Sequence, residues 1–322
     1  LLGVAMMDDA VRALRGGELV AFPTETVFGL GADARSDAAV RRVFAAKGRP
    51  ATNPLIVHVA SIAGAQRAAG GWPDHAVALA EAFWPGPLTI VVPTGDGIST
   101  LATAGGATVG LRVPDHPVAL ELLEAFDGPI AAPSANRSEH VSPTLAKHVA
   151  DDLGEHVAVI LDGRCGVGIE STVVDCTAAT PAILRPGTIT AEQIADVVGS
   201  LGTSTTPSPG TADRHYAPAT PTFRFTDRDA VVAWLAEREG EKIEVLLTRP
   251  SREGEPIRRA AQRTHKVHQM PADPTKFGQY LYATLRKLDR PPCAAILIES
   301  VPDGSAWDAV RDRIGRASVP LA

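Results

Sequence analysis

The chain has few aromatic residues, few cysteines and, over its first two thirds, little positive charge. Only 5% of its 322 residues are Phe, Tyr or Trp, too sparse for the stacking platforms that hold single-stranded nucleic acid. Three cysteines, Cys165, Cys176 and Cys293, are odd in number and include no C-x-x-C pair, which excludes a disulfide framework and a thiolate zinc site. They read as buried free thiols in a reducing compartment. None of the nine histidines stands in an H-x-x-x-H or Cys-paired arrangement, so no protein metal site is expected. Neither a Walker A lysine pattern nor a Ser-His-Asp or nucleophilic Cys set is evident. No apolar run is long enough to cross a bilayer. Leu1 to Met7 is apolar but short, has no basic region and meets Asp8-Asp9 at once; no secretory signal is expected, and the cytoplasm is the expected compartment. Residues 1–206 carry 13 Lys and Arg against 22 Asp and Glu, a net −9, whereas 207–322 carry 18 against 15, a net +3. A domain at −9 is a poor general binder of polyanions, and its few cations matter individually.

What is there is material for two domains: 322 residues, 45% of them hydrophobic, with a mean hydropathy of +0.04. Gly202-Thr-Ser-Thr-Thr-Pro-Ser-Pro-Gly210, continuing to Pro221, is small, polar and Pro-rich beyond the length of an ordinary connection. The expected division is therefore 1–201, a linker over 202–221, and 222–322. Upstream, strands are expected at Leu19–Phe22, Leu55–Val59, Leu88–Val92, Val109–Val113, Ile130–Ala132, Val157–Leu161, Ser171–Asp175 and Ile183–Arg185. Ser36 and Thr190 read as caps of helices over 37–47 and 191–198. So many strands among fewer helices predict a mixed sheet flanked by helices. Downstream, strands at Ile243–Leu247, near Thr264–Met270 and at Ala294–Glu299 alternate with helices near 227–237, 273–288 and 307–317, a small open α/β domain.

Lys47-Gly-Arg-Pro-Ala-Thr-Asn-Pro-Leu-Ile-Val-His58 puts Lys47, Arg49, Asn53 and His58 in one short segment. Arg binds phosphate or carboxylate bidentately and Lys as a point charge, so in an acidic domain the cluster asks for an anionic ligand. Lys47 alone is better explained by a helix C-terminus, where a cation is favoured by the dipole; the four residues together are not. Pro23-Thr-Glu-Thr-Val-Phe-Gly-Leu-Gly31 reads as a strand exit, with Thr24 and Thr26 hydroxyls and backbone N–H groups freed at Gly29 and Gly31. Arg112 ends an apolar strand, where a ligand and an internal ion pair are equally good accounts of it. Ala131-Ala-Pro-Ser134-Ala-Asn136 ends another strand in a small, polar turn; Gly163 to Thr172 is a Gly-rich loop running into a strand; Arg185 leaves a further strand. Cations at such exits, with Ser, Thr and Asn beside them, suit chemistry done by positioning and charge neutralisation, as in nucleotidyl or phosphoryl transfer.

In order along the chain, PTETVFGLG, KGRPATNPLIVH, FWPGPLTIVV, VGLRVPDHP, PIAAPSANRS, ESTVVD and ILRPG resemble the successive blocks of the YrdC-like domain, and SPGTADRHYAP resembles the linker signature of the long, two-domain L-threonylcarbamoyladenylate synthases. The resemblance implies an α/β fold: a twisted mixed sheet with a concave basic cleft, followed by a small Rossmann-like domain. It implies an ATP-dependent nucleotidyltransferase. L-threonine and bicarbonate (or CO2) give N-carboxythreonine, whose carboxylate attacks the α-phosphate of ATP, releasing pyrophosphate and threonylcarbamoyl-AMP. A downstream tRNA threonylcarbamoyl transferase then modifies adenosine 37 of tRNAs. Magnesium is expected only with ATP, and no prosthetic group is implied. The threonine-holding set it implies is Thr26, His58, Arg112 and Ser171 with the backbone of Ala132. The ATP-holding set is Arg49, Asn53, Thr108, Ser134, Ser142 and Arg185, with Tyr216 reaching over the nucleotide in a lid of Arg214 to Pro218. Lys47 and Arg49 are the implied catalytic pair.

Phe28, Thr211-Ala-Asp213, Ala219 and Trp307 depart from the family pattern, and the lid is less cationic for it. Two other readings compete. One is a carbamoyl-transfer protein that embeds a YrdC-like domain, but such chains are longer and carry a second catalytic or zinc-bearing module. The other is a non-enzymatic RNA-binding module, which the −9 charge and sparse aromatics disfavour; tRNA contact has little support.

Overall fold

The computed structural model describes residues 2–206, 215–249, 255–261 and 264–321. The chain divides into two compact units: Leu1–Ser138 with Ser142–Thr211, and Glu139–Val141 with Ala212–Ala322.

The first unit runs α1 (Leu2–Arg15), β1 (Val20–Phe22), β2 (Gly29–Asp33), α2 (Asp37–Lys47), β3 (Ile56–His58), α3 (Ile62–Ala68), α4 (Asp74–Phe83), β4 (Leu88–Pro93), β5 (Thr108–Arg112), α5 (Pro117–Phe126), β6 (Ile130–Ala131), α6 (Ala146–Leu153), β7 (Val159–Ile160), β8 (Thr172–Asp175), β9 (Ala182–Arg185) and α7 (Ala191–Val198). Its strands form one mixed sheet in the order β7-β1-β2-β6-β3-β5-β4-β8-β9. On one face Leu88, Ile90, Val57 and Leu111 pack with Val40 and Val43 of α2 and Leu79 of α4. On the other, Val20, Phe22 and Ile130 pack with Leu14 of α1 and Leu122, Leu123 and Phe126 of α5. Covered on both faces, the sheet leaves its strand ends as the place for polar groups.

Local chemistry sets the helix ends. Ser36 accepts from the Ala39 N–H at the start of α2, and Gly48, at φ +62°, ends it in the left-handed region. Thr190 and Gln193 close a capping box on α7. The expected strands all form, trimmed or shifted by a residue or two. The glycine-rich exit does not: Gly29 and Gly31 lie in β2, paired with Phe22 and Val20 of β1, so their backbone groups join a ladder and are not freed. Small residues are needed there for another reason. A Cβ on Gly31 would meet Phe22 Cε1 at 2.8 Å and Ile130 Cγ2 at 2.9 Å. The N-terminal apolar stretch forms α1, whose Leu14 is fully buried. Cys165 and Cys176 are buried thiols whose pKa burial pushes up to about 12; Cys293 is half-buried.

The second unit runs β10 (Thr222–Phe225), α8 (Arg228–Ala236), β11 (Lys242–Leu247), α9 (Glu255–Ala260), β12 (Lys266–Gln269), α10 (Pro274–Leu288), β13 (Cys293–Glu299), α11 (Asp308–Ala317) and β14 (Val319–Pro320). All its strand pairs are parallel, in the order β12-β11-β13-β10-β14. Thr222–Phe225, directly after the expected linker, is its first strand and is not among the expected elements. Among the described residues no helix is long and apolar enough to cross a membrane.

Replacing Gly31 with alanine should cost about 1–3 kcal/mol of stability by overpacking the β1–β2–β6 junction. Urea unfolding of the variant measures it, and an unchanged midpoint would mean that the junction relaxes freely.

Candidate active site

The strand register brings most of the expected threonine set to one end of the large sheet. His58 closes β3 opposite Arg112, which closes β5. β4 lies antiparallel to β5, and β8 lies parallel to β4 with Thr172 opposite Leu88. Ser171 therefore arrives on the next strand but one from Arg112.

Arg112 is only 4% exposed. Its Nη1 donates to Thr26 Oγ1 at 3.0 Å and its Nε to the Gly86 carbonyl at 3.3 Å. Nη2 lies 2.6 Å from Glu25 Oε1 in an ion pair that lacks hydrogen-bond geometry, so Nη2 and both Glu25 oxygens have no hydrogen-bond partner. The internal ion pair and the vacant donor thus coexist. Thr24 Oγ1 donates to the Val27 carbonyl at 2.7 Å, so in its 2.8 Å contact with Thr26 it accepts, and Thr26 is left to accept from Arg112. The glycine-rich loop is clamped to this segment: Val167 N–H donates to Glu25 O and Gly168 N–H to Thr26 O.

His58 is buried, its Nδ1 has no partner, and its ring stands edge-on to Phe22 at 6.1 Å. Burial first, then the Arg112 charge, pull its pKa from 6.5 to about 3, against a bond to the Ile56 backbone. The imidazole is neutral at any ordinary pH. Ser171 Oγ contacts Thr89 Oγ1 at 2.8 Å and accepts from Arg185 Nη2 at 3.1 Å, while Arg185 Nε and Nη2 both donate to the Ser171 carbonyl. The Ala132 N–H is spent on the Ile56 carbonyl at 2.9 Å.

The residues expected around ATP are spread more widely. Lys47 Nζ donates to the carbonyls of Ser134 and Asn136 at 2.6 and 2.5 Å. Arg49 braces its own turn, Nε to Asn53 O at 3.2 Å and Nη2 to Pro54 O at 2.9 Å. Such carbonyl oxygens fill donors without cancelling charge. Ser142 donates to Glu170 at 2.5 Å. Thr108 begins β5, four residues from Arg112 and so ~13 Å along the strand. There it lines a cavity of about 100 Å³ with Thr52, Pro54, Thr89 and Val173. Arg185 bonds directly to Ser171, joining the two sets. Tyr216 belongs to the second unit, where it is buried, stacked on Tyr282 at 5.6 Å and faced by Arg313 at 5.2 Å. Arg214 and Thr211-Ala-Asp213 lie outside the described residues.

Three participants go unread in the sequence: Glu25, Thr89 and Glu170. Glu25 carries the clearest signal, a carboxylate between two threonines in an apolar motif, which has to find a cation if it is buried.

Residues 12–187 match the family model described as telomere recombination, shared by Sua5, YciO and YrdC proteins, and residues 189–319 match the model for the threonylcarbamoyl-AMP synthase C-terminal domain. The threonylcarbamoyl-AMP synthase of Bacillus subtilis is 41% identical over 96% of this chain and 92% of its own. That of Pyrococcus abyssi is 39% identical over 95% and 92%. The P. abyssi Sua5 structure complexed with L-threonine superposes with a TM-score of 0.85 at 37% identity, covering 97% of this chain and 95% of that one. The chain belongs to the threonylcarbamoyl-AMP synthase family. It is the long, two-domain form, an enzyme of a class that takes ATP as substrate. The second unit of a threonylcarbamoyl-AMP synthase stands where the carbamoyl-transfer reading requires a different module.

Because the unfolded chain binds a proton at His58 near pH 6.5 and the folded chain refuses it down to about 3, stability should fall as pH drops through that window. The slope reaches about 1.4 kcal/mol per pH unit. Urea unfolding at about pH 7 and about pH 5, for wild type and His58→Gln, measures it. A difference between the two proteins that does not change with pH would remove His58 as the source.

Proposed function

We propose that this chain makes threonylcarbamoyl-AMP from L-threonine, bicarbonate or CO2, and ATP, and supplies it for N6-threonylcarbamoyladenosine at position 37 of tRNAs. The observation that carries the reading is the convergence of Arg112, Thr26, His58 and Ser171 with an unfilled guanidinium donor and an unfilled imidazole nitrogen. The threonine carboxylate takes Arg112 Nη2, displacing or sharing the charge of Glu25. The threonine hydroxyl meets neutral His58 Nδ1 and the Thr26–Ser171 side. The backbone at Ala132 closes the pocket.

The amine then faces CO2. Carboxylation forms an N–C bond with loss of a proton, and the resulting carboxylate attacks the α-phosphorus of ATP. The new P–O bond forms as the α–β bridging P–O bond breaks, and pyrophosphate leaves with the electron pair. No protein nucleophile is needed, so Lys47, Arg49 and Arg185 act by holding phosphate charge in a desolvated basic cleft. Asn53, Thr108, Ser134 and Ser142 orient the nucleotide. Magnesium comes with the phosphates as part of the substrate; among the described residues no group of three or more His, Cys, Asp or Glu could hold a metal. The product passes to a tRNA threonylcarbamoyl transferase in the cytoplasm, with direct tRNA contact a minor element given the net −9 of residues 1–206.

Purified protein should release pyrophosphate from ATP only when threonine and bicarbonate are both present. Valine, which leaves the hydroxyl partners unpaired, should lose about 10⁴-fold in kcat/KM, and serine, lacking only a methyl, about 10- to 200-fold. Comparable turnover with valine and threonine would sink the reading.

Arg49→Ala should lose roughly 2–4 kcal/mol of transition-state binding. Since Arg49 also braces residues 53–54, Arg49→Lys is the discriminating variant. It restores charge without the clasp and should recover part of the ATP dependence. A Lys variant as inactive as the Ala variant would reduce Arg49 to a structural brace.

A further inference from the structure

The second unit carries a cavity of about 580 Å³ that the reaction does not use. Its walls are Arg224 and Thr226 at the end of β10, Arg249 beyond β11, Ser300 to Asp303 beyond β13, and Arg311, Ile314 and Gly315 of α11. Three neighbouring parallel strands thus deliver their carboxyl ends to one crevice. α8 and α9 pack on the face that carries Ile243, Val245, Leu247 and Leu297, through Val231, Leu235 and Ile257. Among the described residues α10 and α11 contribute nothing to that cluster, and right-handed crossovers in the opposite direction put them on the other face. The chain therefore leaves β10 and β13 toward opposite faces, which opens a crevice between them, the position where open parallel sheets bind ligands.

The crevice is cationic by construction. Glu299, fully buried, accepts from Arg249 Nε at 2.9 Å and Arg228 Nε at 2.8 Å, and from the Thr248 N–H at 2.8 Å. One carboxylate thereby fixes two guanidinium groups. Arg224 Nη1 donates to the Ser318 carbonyl at 2.6 Å, and Arg311 Nη2 to the Pro302 carbonyl at 2.7 Å. Arg311 also pairs with Asp308 and lies 3.8 Å from the exposed Asp303. Arg224 is held through Nη1 alone and Arg249 through Nε alone, whereas Arg311 is held through both Nη groups, Nη2 also reaching the Gly304 carbonyl at 3.4 Å. A guanidinium has five N–H donors, so Arg224 and Arg249 have further ones to offer a ligand. Val301, Pro302 and Ile314 add an apolar wall, and the volume is that of a small-molecule site.

We propose that this cavity binds a phosphate-bearing small molecule of mononucleotide size, its phosphate among Arg224, Arg249 and Arg311 and its organic part against Val301, Pro302 and Ile314. The site is separate from the one proposed for ATP in the first unit. Calorimetric titration of the full chain with AMP, adenosine and inorganic phosphate tests it, in an Arg49→Ala background and again with R224Q/R311Q added. Both added substitutions remove charge from residues whose named partners are carbonyls or exposed carboxylates, and circular dichroism checks folding. AMP should bind the parent and lose about tenfold or more in R224Q/R311Q, with adenosine much weaker than AMP. Inorganic phosphate as tight as AMP would keep the anion site and identify free phosphate as the ligand. AMP affinity unchanged by R224Q/R311Q, or adenosine as tight as AMP, overturns the proposal. Because the comparison is between two proteins with the same first unit, it stands whether or not Arg49 holds ATP.

Discussion

A single buried guanidinium organises the first unit's strand ends. Taking the charge of Arg112 out of water is costly, and the fold offsets that cost with three contacts from two segments: the Gly86 carbonyl from one, the Thr26 hydroxyl and the Glu25 carboxylate from the other. Those contacts tie β5 to the turn before β4 and to the loop before β2. The same charge helps to keep His58 neutral. Removing Arg112 would therefore leave a buried carboxylate, a stray hydroxyl and a retuned histidine together, which makes a site and a structural joint the same object. The Glu25 pairing has a functional edge as well. On the proposed function, the threonine carboxylate would share Arg112 with an acid that already faces it, and the ligand would have to repay that sharing with further contacts.

The elements legible in the sequence are those whose signal is local. Ser36, Gly48 and Thr190 punctuate helices through their own side chains or backbone, and the regular parallel unit yields nearly every element after its first strand. β2 was not legible, because Gly-Leu-Gly-Ala-Asp has the composition of a turn and becomes a strand only where Phe22 and Ile130 leave no room for a Cβ. β10 is likewise hidden, because it follows directly on the Pro-rich segment that ends at Pro221. Both are tertiary decisions that no window of sequence contains.

The site divides the same way. Cations at strand exits are visible as types, and the motifs name Arg112, His58 and Ser171. Partnership is not visible: that Arg112 meets Glu25, Ser171 meets Thr89, or Ser142 meets Glu170 follows from register across strands distant in sequence. Arg49 shows the limit from the other side. Its position beside Lys47 reads as a pair, yet in the fold Lys47 reaches the 134–136 turn and Arg49 clasps its own loop.

Charge distribution reconciles an acidic unit with an anionic substrate. Net charge acts over distance, and at physiological salt it is screened beyond about 8 Å. On the proposed function, a small anion inside that range would meet Lys47, Arg49, Arg112 and Arg185, all less than 9% exposed and so in a medium of low polarizability. The surface acids repel long polyanions, which sample many screening lengths at once, more than they repel a compact nucleotide. On that reading, an excess of acid outside and buried cations within would filter ligands by size as well as by charge. Residues 207–322, at +3 with arginines nearer the surface, would lack that filter, and on the proposal made for the second unit's crevice its selectivity would come from shape.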